Sequence, residues 1–331
     1  MTGRKIVATL CLLGMLLGGT QRTPAEPWAF AVTGDDRTNP NDSPDPTSIN
    51  TVIFKQLLHT IAARKPRFVL VTGDLVLGRN PVISADLATQ FTNWLYFVKT
   101  EAPGLTILPV RGNHETKGDA DGKLWLKYFK PYLDANQVTY FPQEEGFSYT
   151  YSPPDHPQTV VMAVDQYQAG QIHRVNLTQL DQALQTARSH QQTHVFVFSH
   201  EMAFTTGQHP DAENMAAFPR QRDEFINLLA SHGCEYFFAG HDHFYDWMVI
   251  RNPKWPAGQV VNQIITGTAG APMYDASLGY YGDHHGYDLI RKENQVETFG
   301  YMWITVDDSA PTNQVSCTFV PMLKAAGQYL K

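Results

Sequence analysis

Short apolar runs that end abruptly in polar residues are the clearest pattern in the chain. Five such runs, rich in Val, Phe, Ile and Tyr, cover residues 28–37, 67–74, 105–115, 193–201 and 236–243 together with their polar ends. Runs this apolar are typical of strands that are buried on both faces of a parallel sheet. The sequence therefore predicts buried strands that each carry polar side chains at their carboxyl ends.

Segments with helical spacing separate many of these strands. In residues 48–64, apolar residues recur every three or four positions, and residues 87–99, 177–187 and 222–231 show the same spacing. Alternation of strands and helices predicts a largely parallel sheet covered by helices. After about residue 260, three strand-like runs follow without helices between them. For these we predict a second, mixed or antiparallel sheet that packs on the first.

The first 25 residues have the composition of an export signal. A short basic start precedes an apolar run, 6–19, that is too short to span a bilayer, and small residues then allow cleavage after Ala25. A core helix fits less well, because glycines end the run and it has no polar face. We therefore expect a signal peptide over 1–25 and one domain over 26–331, periplasmic or secreted and free of the membrane after cleavage.

Composition and charge narrow the range of partners. The chain has 331 residues, of which 43% are hydrophobic and 12% aromatic, and this excludes a disordered or collagen-like protein. Residues 1–25 contain three of the 25 basic residues and none of the 32 acidic ones, so the remainder has a net charge of −10. A body this acidic is unlike a nonspecific nucleic-acid binder, so no nucleic-acid partner is expected, and no feature implies a protein partner.

Two cysteines, Cys234 and Cys317, follow the predicted signal. Both lie in apolar, strand-like segments. In an oxidising compartment they either form one disulfide or stay as buried free thiols, and the sequence leaves both alternatives open.

The polar ends of the five runs supply a set of residues suited to metal binding. In open α/β sheets, ligands bind beyond the carboxyl ends of the strands, so these ends should meet at one rim. They carry Asp35, Asp36, Arg37, Asp74, Asn113, His114, His200, His241, Asp242 and His243. Carboxylate, amide and imidazole groups without thiols suit Mn, Fe, Zn or Co, and the donors suffice for two ions. A pair of metal ions suits hydrolysis of phosphate esters, because it clamps the attacking and the leaving oxygen.

The same residues carry a family resemblance. The motifs are GDDR at 34–37, GD at 73–74, GNHE at 112–115, His200 and GHDH at 240–243. In this order and at this spacing they resemble the calcineurin-like metallophosphoesterases, which include purple acid phosphatases and cyclic-nucleotide phosphodiesterases. The resemblance runs from about residue 28 to 306. It implies an α/β fold, namely a four-layer α/β/β/α sandwich of two mixed sheets flanked by helices, with a dimetal site at the carboxyl ends of the strands.

The resemblance also assigns roles to individual residues. The implied ligands of two divalent ions (Mn, Fe, Zn or Co) are Asp35 and His243 on one ion, Asn113, His200 and His241 on the other, and Asp74 between them. His114 resembles the histidine of the family that protonates the leaving group and steadies the phosphoryl oxygens.

Two positions depart from the family pattern. Many members have a histidine ligand where this chain has Arg37, which cannot bind a metal because its guanidinium has no free lone pair. Leu77 stands where purple acid phosphatases place a tyrosine ligand, so no purple colour is expected and one site should have fewer protein ligands. Arg37 either binds a substrate phosphate oxygen with its fork of donors or forms a structural ion pair with Asp36 or another acid.

Other polar residues near the motifs are expected to play supporting roles. Asp36 and Asp242 should point away from their neighbours along extended chain and support the ligands. Asp165 is expected to be a turn residue. Residues 283–285 either line the cleft or form a surface loop, with the loop favoured, and the long loop 201–221 is expected to cap the site.

These observations predict an exported, metal-dependent phosphoesterase. It would hydrolyse a small phosphomonoester or phosphodiester by a metal-bridging hydroxide. The alternative is a non-catalytic exported binding protein that keeps the fold but has a weakened metal site at Arg37. The sequence contains neither a G-x-S-x-G nucleophile elbow nor a Walker loop, so other hydrolase classes are poorly supported.

Overall fold

A computed structural model describes residues 26–41, 44–209, 211–234, 236–276, 279–280, 284–309 and 314–322. The predicted signal segment, 1–25, lies outside the described residues. Within the described part of the chain, no helix combines the length and apolar character needed to cross a membrane.

Five α-helices and thirteen strands form the regular structure of the described residues. The helices are α1 (Thr51–Ala63), α2 (Leu87–Glu101), α3 (Lys123–Ala135), α4 (Leu177–Ser189) and α5 (Pro219–Ser231). The strands are β1 (Trp28–Thr33), β2 (Val69–Val71), β3 (Ile107–Pro109), β4 (Thr139–Tyr140), β5 (Tyr149–Tyr151), β6 (Thr159–Ala163), β7 (His194–Phe198), β8 (Tyr236–Ala239), β9 (Tyr245–Arg251), β10 (Val261–Thr266), β11 (Asp288–Gln295), β12 (Gly300–Asp307) and β13 (Gln314–Pro321). The four predicted helices correspond to α1, α2, α4 and α5, with ends that differ by at most three residues.

The strands form two mixed sheets. The five-stranded sheet has the order β13-β12-β1-β2-β3, in which β1, β2 and β3 are parallel and β12 pairs antiparallel with β1 and β13. The eight-stranded sheet has the order β11-β9-β10-β8-β7-β6-β5-β4, in which β6, β7, β8 and β10 are parallel. Two mixed sheets with helices confirm the predicted fold class.

Alternation along the strands explains the layers. Phe30 of β1 faces the other sheet, where its ring centroid lies 5.0 Å from that of Phe196 on β7, whereas the neighbouring Ala31 packs in the cluster that contains Phe54 of α1 and Trp94 of α2. On the far side, α4 and α5 cover the eight-stranded sheet through residues such as Phe225. Both faces of each central strand are therefore buried, which is why these runs are continuously apolar.

The prediction of a separate C-terminal sheet is wrong. Strand β10 joins the eight-stranded sheet beside β8, whereas β12 and β13 extend the five-stranded sheet beside β1. The parallel strands are likewise divided, since β1 to β3 belong to one sheet and β6 to β8 to the other. Strand β10 pairs antiparallel with β9, and β12 pairs antiparallel with β13. Such neighbours need no crossover helix between them, so the C-terminal strands can complete both existing sheets.

Candidate active site

Backbone strain marks the places where the polar motifs follow the strands. Asp35, Asp74 and His241 have φ angles of 65°, 52° and 72°, in the left-handed region that few residues other than glycine adopt. Glycines allow close packing beside them: a Cβ on Gly112 would collide with the carboxylate of Asp74, and one on Gly240 with the carboxylate of Asp35. The motifs thus bring together strand ends from both sheets.

One group of possible ligands contains Asp35, Asp74 and His243. One ligand atom from each of these buried residues lies within 4.8 Å of the other two. Nε2 of His243 is 3.4 Å from Oδ1 of Asp35. The three residues come from the ends of β1 and β2 and from the segment after β8.

A second group surrounds Nε2 of His200 and shares Asp74 with the first. This nitrogen is 3.0 Å from Nδ1 of His241, 3.1 Å from Oδ1 of Asn113 and 3.4 Å from Oδ1 of Asp74. The structure therefore brings together all six residues that the sequence assigned as ligands, in two adjacent groups with Asp74 between them.

The histidines of the site are oriented by backbone carbonyl groups. A carbonyl oxygen only accepts hydrogen bonds, so the ring nitrogen that contacts it carries a proton, and in the neutral ring the other nitrogen has a lone pair. These contacts are His114 Nδ1 to Leu77 O at 2.6 Å, His200 Nδ1 to Thr72 O at 2.7 Å, His241 Nε2 to Glu213 O at 2.8 Å and His243 Nδ1 to Pro272 O at 2.6 Å. In its neutral form each histidine thus presents a lone pair to the site, the arrangement that metal-binding histidines require.

The charges of the site also favour divalent cations. Burial, reinforced by the charge of Asp74, raises the pKa of Asp35 well above its usual value. Burial alone would also raise the pKa of Asp74, but His114, His200 and Arg37 hold it below its usual range. Burial lowers the pKa of His243. Buried carboxylates beside neutral imidazoles are well suited to hold divalent ions, so the residues present fit the metal centre expected of the family.

His114 lies at the edge of this cluster. Its backbone N–H donates to Oδ1 of Asp74 at 3.0 Å, and its Nε2 is 3.8 Å from Oδ2 of the same carboxylate. The same Nε2 is 2.8 Å from Nζ of Lys117, a residue that sequence reasoning missed. Burial, with the charges of Arg37 and Lys117, lowers the pKa of His114 to about 3, although Asp74 opposes this shift. His114 is therefore neutral and accepts a hydrogen bond at Nε2.

Arg37 points into the site rather than toward its neighbour in the sequence. Its Nε is 3.7 Å from Oδ2 of Asp74. Asp36 instead accepts a hydrogen bond from Nε1 of Trp94 at 2.8 Å, so the ion pair that Arg37 forms is with Asp74 and not with Asp36. Leu77 contributes to the site only through the carbonyl group that contacts His114.

Glu115 fixes the loop that carries Asp74. Its carboxylate accepts hydrogen bonds from the backbone N–H groups of Asp74 at 3.0 Å, Gly112 at 2.6 Å and Val76 at 3.2 Å. Burial and the charge of Asp74 raise the pKa of Glu115 to about 8. The acid of the GNHE motif thus joins the ends of β2 and β3.

The long loop after β7 packs over the metal-binding residues. Asp242 accepts hydrogen bonds from Nδ1 of His209 at 2.8 Å and from the N–H of Gln208 at 3.1 Å. The ring of His209 stacks on His241 with centroids 4.0 Å apart. Asp242 therefore supports the loop, and the loop covers one side of the site. Beside it Tyr274, which sequence reasoning missed, stacks on His243 with centroids 4.1 Å apart and lies 5.4 Å from the ring of His209.

Several other polar residues do not reach the site. Asp165 accepts two hydrogen bonds from Arg111, at 2.8 and 2.7 Å, in a buried ion pair. Residue 283 lies outside the described residues, and His285 pairs with Asp223 on α5. Of the two cysteines, Cys234 is buried in the core, where its Sγ is 3.2 Å from the carbonyl oxygen of Val195, and Cys317 is half-buried.

Comparison with known proteins agrees with this geometry. A family model described as calcineurin-like phosphoesterase matches residues 49–245, which is more than half of the chain. Purple acid phosphatase PPD1 from yellow lupin (Lupinus luteus) seeds is 13% identical with a TM-score of 0.62, and the match covers 92% of this chain and 53% of that chain. PhoD is 10% identical with a TM-score of 0.52, and the match covers 93% of this chain and 74% of the PhoD chain.

These structural relatives share the fold at low sequence identity. This chain spans about half the length of the lupin phosphatase, 53%. No curated protein matches the sequence. The family match covers the motifs that follow β2, β3, β7 and β8. The chain belongs to the calcineurin-like phosphoesterase family, a family of metal-dependent phosphoric ester hydrolases.

Proposed function

We propose that this chain is an exported, metal-dependent phosphoesterase that hydrolyses a small phosphomonoester or phosphodiester. The observation that carries this proposal is the pair of adjacent donor groups that share Asp74. Asp35 and His243 would hold one divalent ion, and Asn113, His200 and His241 the other. Ions bound there would polarise the phosphoryl group and activate water, which is the chemistry that metal pairs supply to phosphate ester hydrolysis.

The residues around the donors support the reaction in distinct ways. Left-handed backbone at Asp35 and Asp74 aims both carboxylates at the same point, and Glu115 holds the loop of Asp74 in that conformation. His114 holds its Nε2 beside Asp74, and once Lys117 or solvent has transferred a proton to this nitrogen, His114 can donate that proton to the leaving oxygen. The loop that carries His209 limits the access of water from one side.

The charge of the protein supports a small substrate. The part of the chain after residue 25 has a net charge of −10, so a long polyanion would be repelled outside the metal centre. A small ester meets mainly the local field of the ions and of the cations beside them. This argues against nucleic acid as the substrate.

The alternative is an exported binding protein that retains the fold without turnover. This alternative arises because Arg37 stands where many members of the family have a histidine that binds metal. The complete second donor group around His200 argues against it, as does the fixed tautomer of His114, because a protein relieved of catalysis has no need for either.

The first test is metal-dependent turnover. The chain from Glu26 onward would be stripped of metal, supplied with Mn²⁺, Fe²⁺, Zn²⁺ or Co²⁺ in turn, and assayed with p-nitrophenyl phosphate and bis-p-nitrophenyl phosphate. Release of p-nitrophenol that depends on added metal, and that is lost in the Asp74→Asn variant, supports the proposal. Bound metal without turnover of either ester favours the binding protein.

Export is tested separately with the full chain. The protein would be produced in a Gram-negative bacterial host, and the N-terminus of the periplasmic fraction would be sequenced. Cleavage before Glu26 supports export. An intact N-terminus in the cytoplasmic fraction would contradict it without affecting the enzymatic proposal.

A further inference from the structure

Arg37 is a buried cation whose donors are poorly used. The residue is 7% exposed, and within the described part of the chain its Nε has no hydrogen-bond acceptor. Its nearest carboxylate oxygen, Oδ2 of Asp74, is 3.7 Å away, and Nη1 has only a 3.5 Å contact with the carbonyl of Thr38. A buried guanidinium with unused donors costs free energy unless a ligand supplies acceptors.

Lys117 brings a second cation to the same edge of the site. Its Nζ is 2.8 Å from Nε2 of His114, and that nitrogen is 3.8 Å from Oδ2 of Asp74. Arg37 approaches the same oxygen at 3.7 Å. Arg37 and Lys117 therefore place two cations on one side of Asp74, and Nε2 of His114 accepts a hydrogen bond from Lys117 there. Lys117 is held in place because its backbone N–H donates to the carbonyl of His114 at 3.1 Å and its carbonyl accepts from Arg79 at 2.7 Å.

The single negative charge of Asp74 is not sufficient to neutralise both Arg37 and Lys117. In the proposed function Asp74 binds both ions, so its carboxylate is already shared. Two further positive charges beside the metal centre then match a ligand with more than one negative charge. A phosphomonoester dianion has three terminal oxygens that share its charge, whereas a phosphodiester has two and only one negative charge.

We propose that Arg37 and Lys117 bind terminal phosphoryl oxygens and make the site selective for phosphomonoester dianions over phosphodiesters. This inference rests on the proposed function and narrows its substrate class. Arg37 offers a planar fork that suits two oxygens, and Lys117 offers a compact charge beside His114. The leaving oxygen would then lie within reach of Nε2 of His114, in agreement with the proton transfer proposed for that residue.

The experiment compares charge removal with charge conservation. Arg37→Gln and Lys117→Gln remove one cation each, Arg37→Lys and Lys117→Arg retain the charge, and Lys99→Gln removes an exposed lysine in the last turn of α2 as the matched control. Metal content is measured for each variant. Values of kcat/KM are compared for p-nitrophenyl phosphate and bis-p-nitrophenyl phosphate. Calorimetry of the metal-loaded protein measures the binding of inorganic phosphate and of dimethyl phosphate, a diester that carries one charge.

The expected result is a selective loss. Each Gln variant should lose about 10- to 100-fold in kcat/KM for the monoester, the range for one charge-assisted contact, with little change for the diester. Phosphate binding should weaken in parallel, whereas dimethyl phosphate binding should hardly change. Arg37→Lys and Lys117→Arg should lose less than the Gln variants because they keep the charge but not the geometry of the donors. Lys99→Gln should stay close to the wild type, and the metal content should be the same in all variants.

Two results would overturn the inference. Equal losses for both esters with unchanged phosphate affinity would assign Lys117 to proton transfer and Arg37 to structure. Wild-type preference for the diester, or equal affinity for inorganic and dimethyl phosphate, would exclude a dianion site. If the wild type hydrolyses neither ester, the proposed function fails, and calorimetry still decides whether the two cations select phosphate.

Discussion

Nε2 of His200 lies 3.0 Å from Nδ1 of His241, and neither nitrogen carries a proton in the neutral ring. The other nitrogen of each ring donates to a carbonyl group, of Thr72 for His200 and of Glu213 for His241. In the neutral rings, two lone pairs at this distance repel each other unless a proton or a metal cation lies between them. The backbone contacts therefore favour the tautomers that metal binding requires, and the loop after β7 takes part through Glu213.

Loss of His241 or conversion of Asp74 to a neutral amide should abolish hydrolysis. Asp74 belongs to both groups of metal-binding residues, and His241 belongs to the group around His200. We expect His241→Ala and Asp74→Asn to lower kcat/KM by more than about 100-fold, since even changes outside the ligands cost up to that factor. Circular dichroism should show an unchanged fold. Retained turnover in either folded variant would contradict the assignment of these residues.

Metal binding should stabilise the folded protein. Burial raises the pKa of Asp35 well above its usual value, and the charge of the neighbouring Asp74 adds to this shift, so a bound cation should relieve both effects. A ligand at 100 times its Kd adds about 2.7 kcal/mol to the free energy of unfolding, so excess Mn²⁺ or Zn²⁺ should raise the Tm of the stripped protein. Asp35→Asn should bind fewer ions per chain by mass spectrometry and show a smaller rise. An equal rise in this variant would place the metal elsewhere.

The motifs predicted the site well because its chemistry is local to strand ends. Each run of buried residues stops where the chain leaves the sheet, so GNHE and GHDH must lie at the rim whichever sheet holds their strand. The division of the strands between two sheets was not predictable from the runs, since β2 and β7 have the same apolar character. Pairing partners are long-range, and β1 lies beside β12, some 270 residues later.

Other features were missed because their signals are weak or absent in the sequence. Helix α3 buries Trp125, Phe129 and Leu133 at four-residue spacing, but Pro131 within it reads as a helix breaker. Lys117 and Tyr274 belong to no motif. They lie beside His114 and His243 only because the turn after β3 and the segment after β10 approach the site in space.

Removal of the Glu115 carboxylate should destabilise the protein as well as the site. Glu115→Ala leaves three buried N–H groups without their acceptor, those of Asp74, Val76 and Gly112. We expect the free energy of unfolding in urea to fall by about 3 kcal/mol, with loss of activity as the loop of Asp74 relaxes. Glu145→Ala serves as the control, because that side chain is 67% exposed and its ion pair with Lys130 should matter little. Equal effects of the two substitutions would argue against a supporting role for Glu115.

The buried pair of Arg111 and Asp165 should be essential to the position of the GNHE loop. Arg111 immediately precedes the loop, and its two hydrogen bonds to Asp165 join the end of β3 to the segment after β6. Asp165→Ala leaves a buried guanidinium unpaired and should lower the free energy of unfolding by about 3–5 kcal/mol. Replacement of both residues, as Arg111→Met with Asp165→Leu, should recover much of this stability. A double variant no more stable than Asp165→Ala would show that the pair does not act as a unit.

The pair of His173 and Glu201 should make stability depend on pH. Nδ1 of His173 is 2.7 Å from Oε1 of Glu201, and this hydrogen bond raises the pKa of His173 above its usual 6.5 against the opposing effect of burial. A histidine whose pKa is higher in the folded state binds its proton more tightly there. Its contribution to stability is therefore fully present below about pH 6.5 and is lost as the pH rises through the raised folded value.

Urea unfolding of the wild type and of His173→Gln across this range tests the pair. The wild type should exceed the variant in stability at the acidic end, and the difference should shrink as the pH increases. Glu201→Gln removes the partner that raises the pKa of His173, so it should show the same flattened dependence while keeping the histidine. If the curves of all three proteins run parallel, the pH dependence of stability arises from other groups. If only His173→Gln flattens the curve, then Glu201 is not the group that raises the pKa.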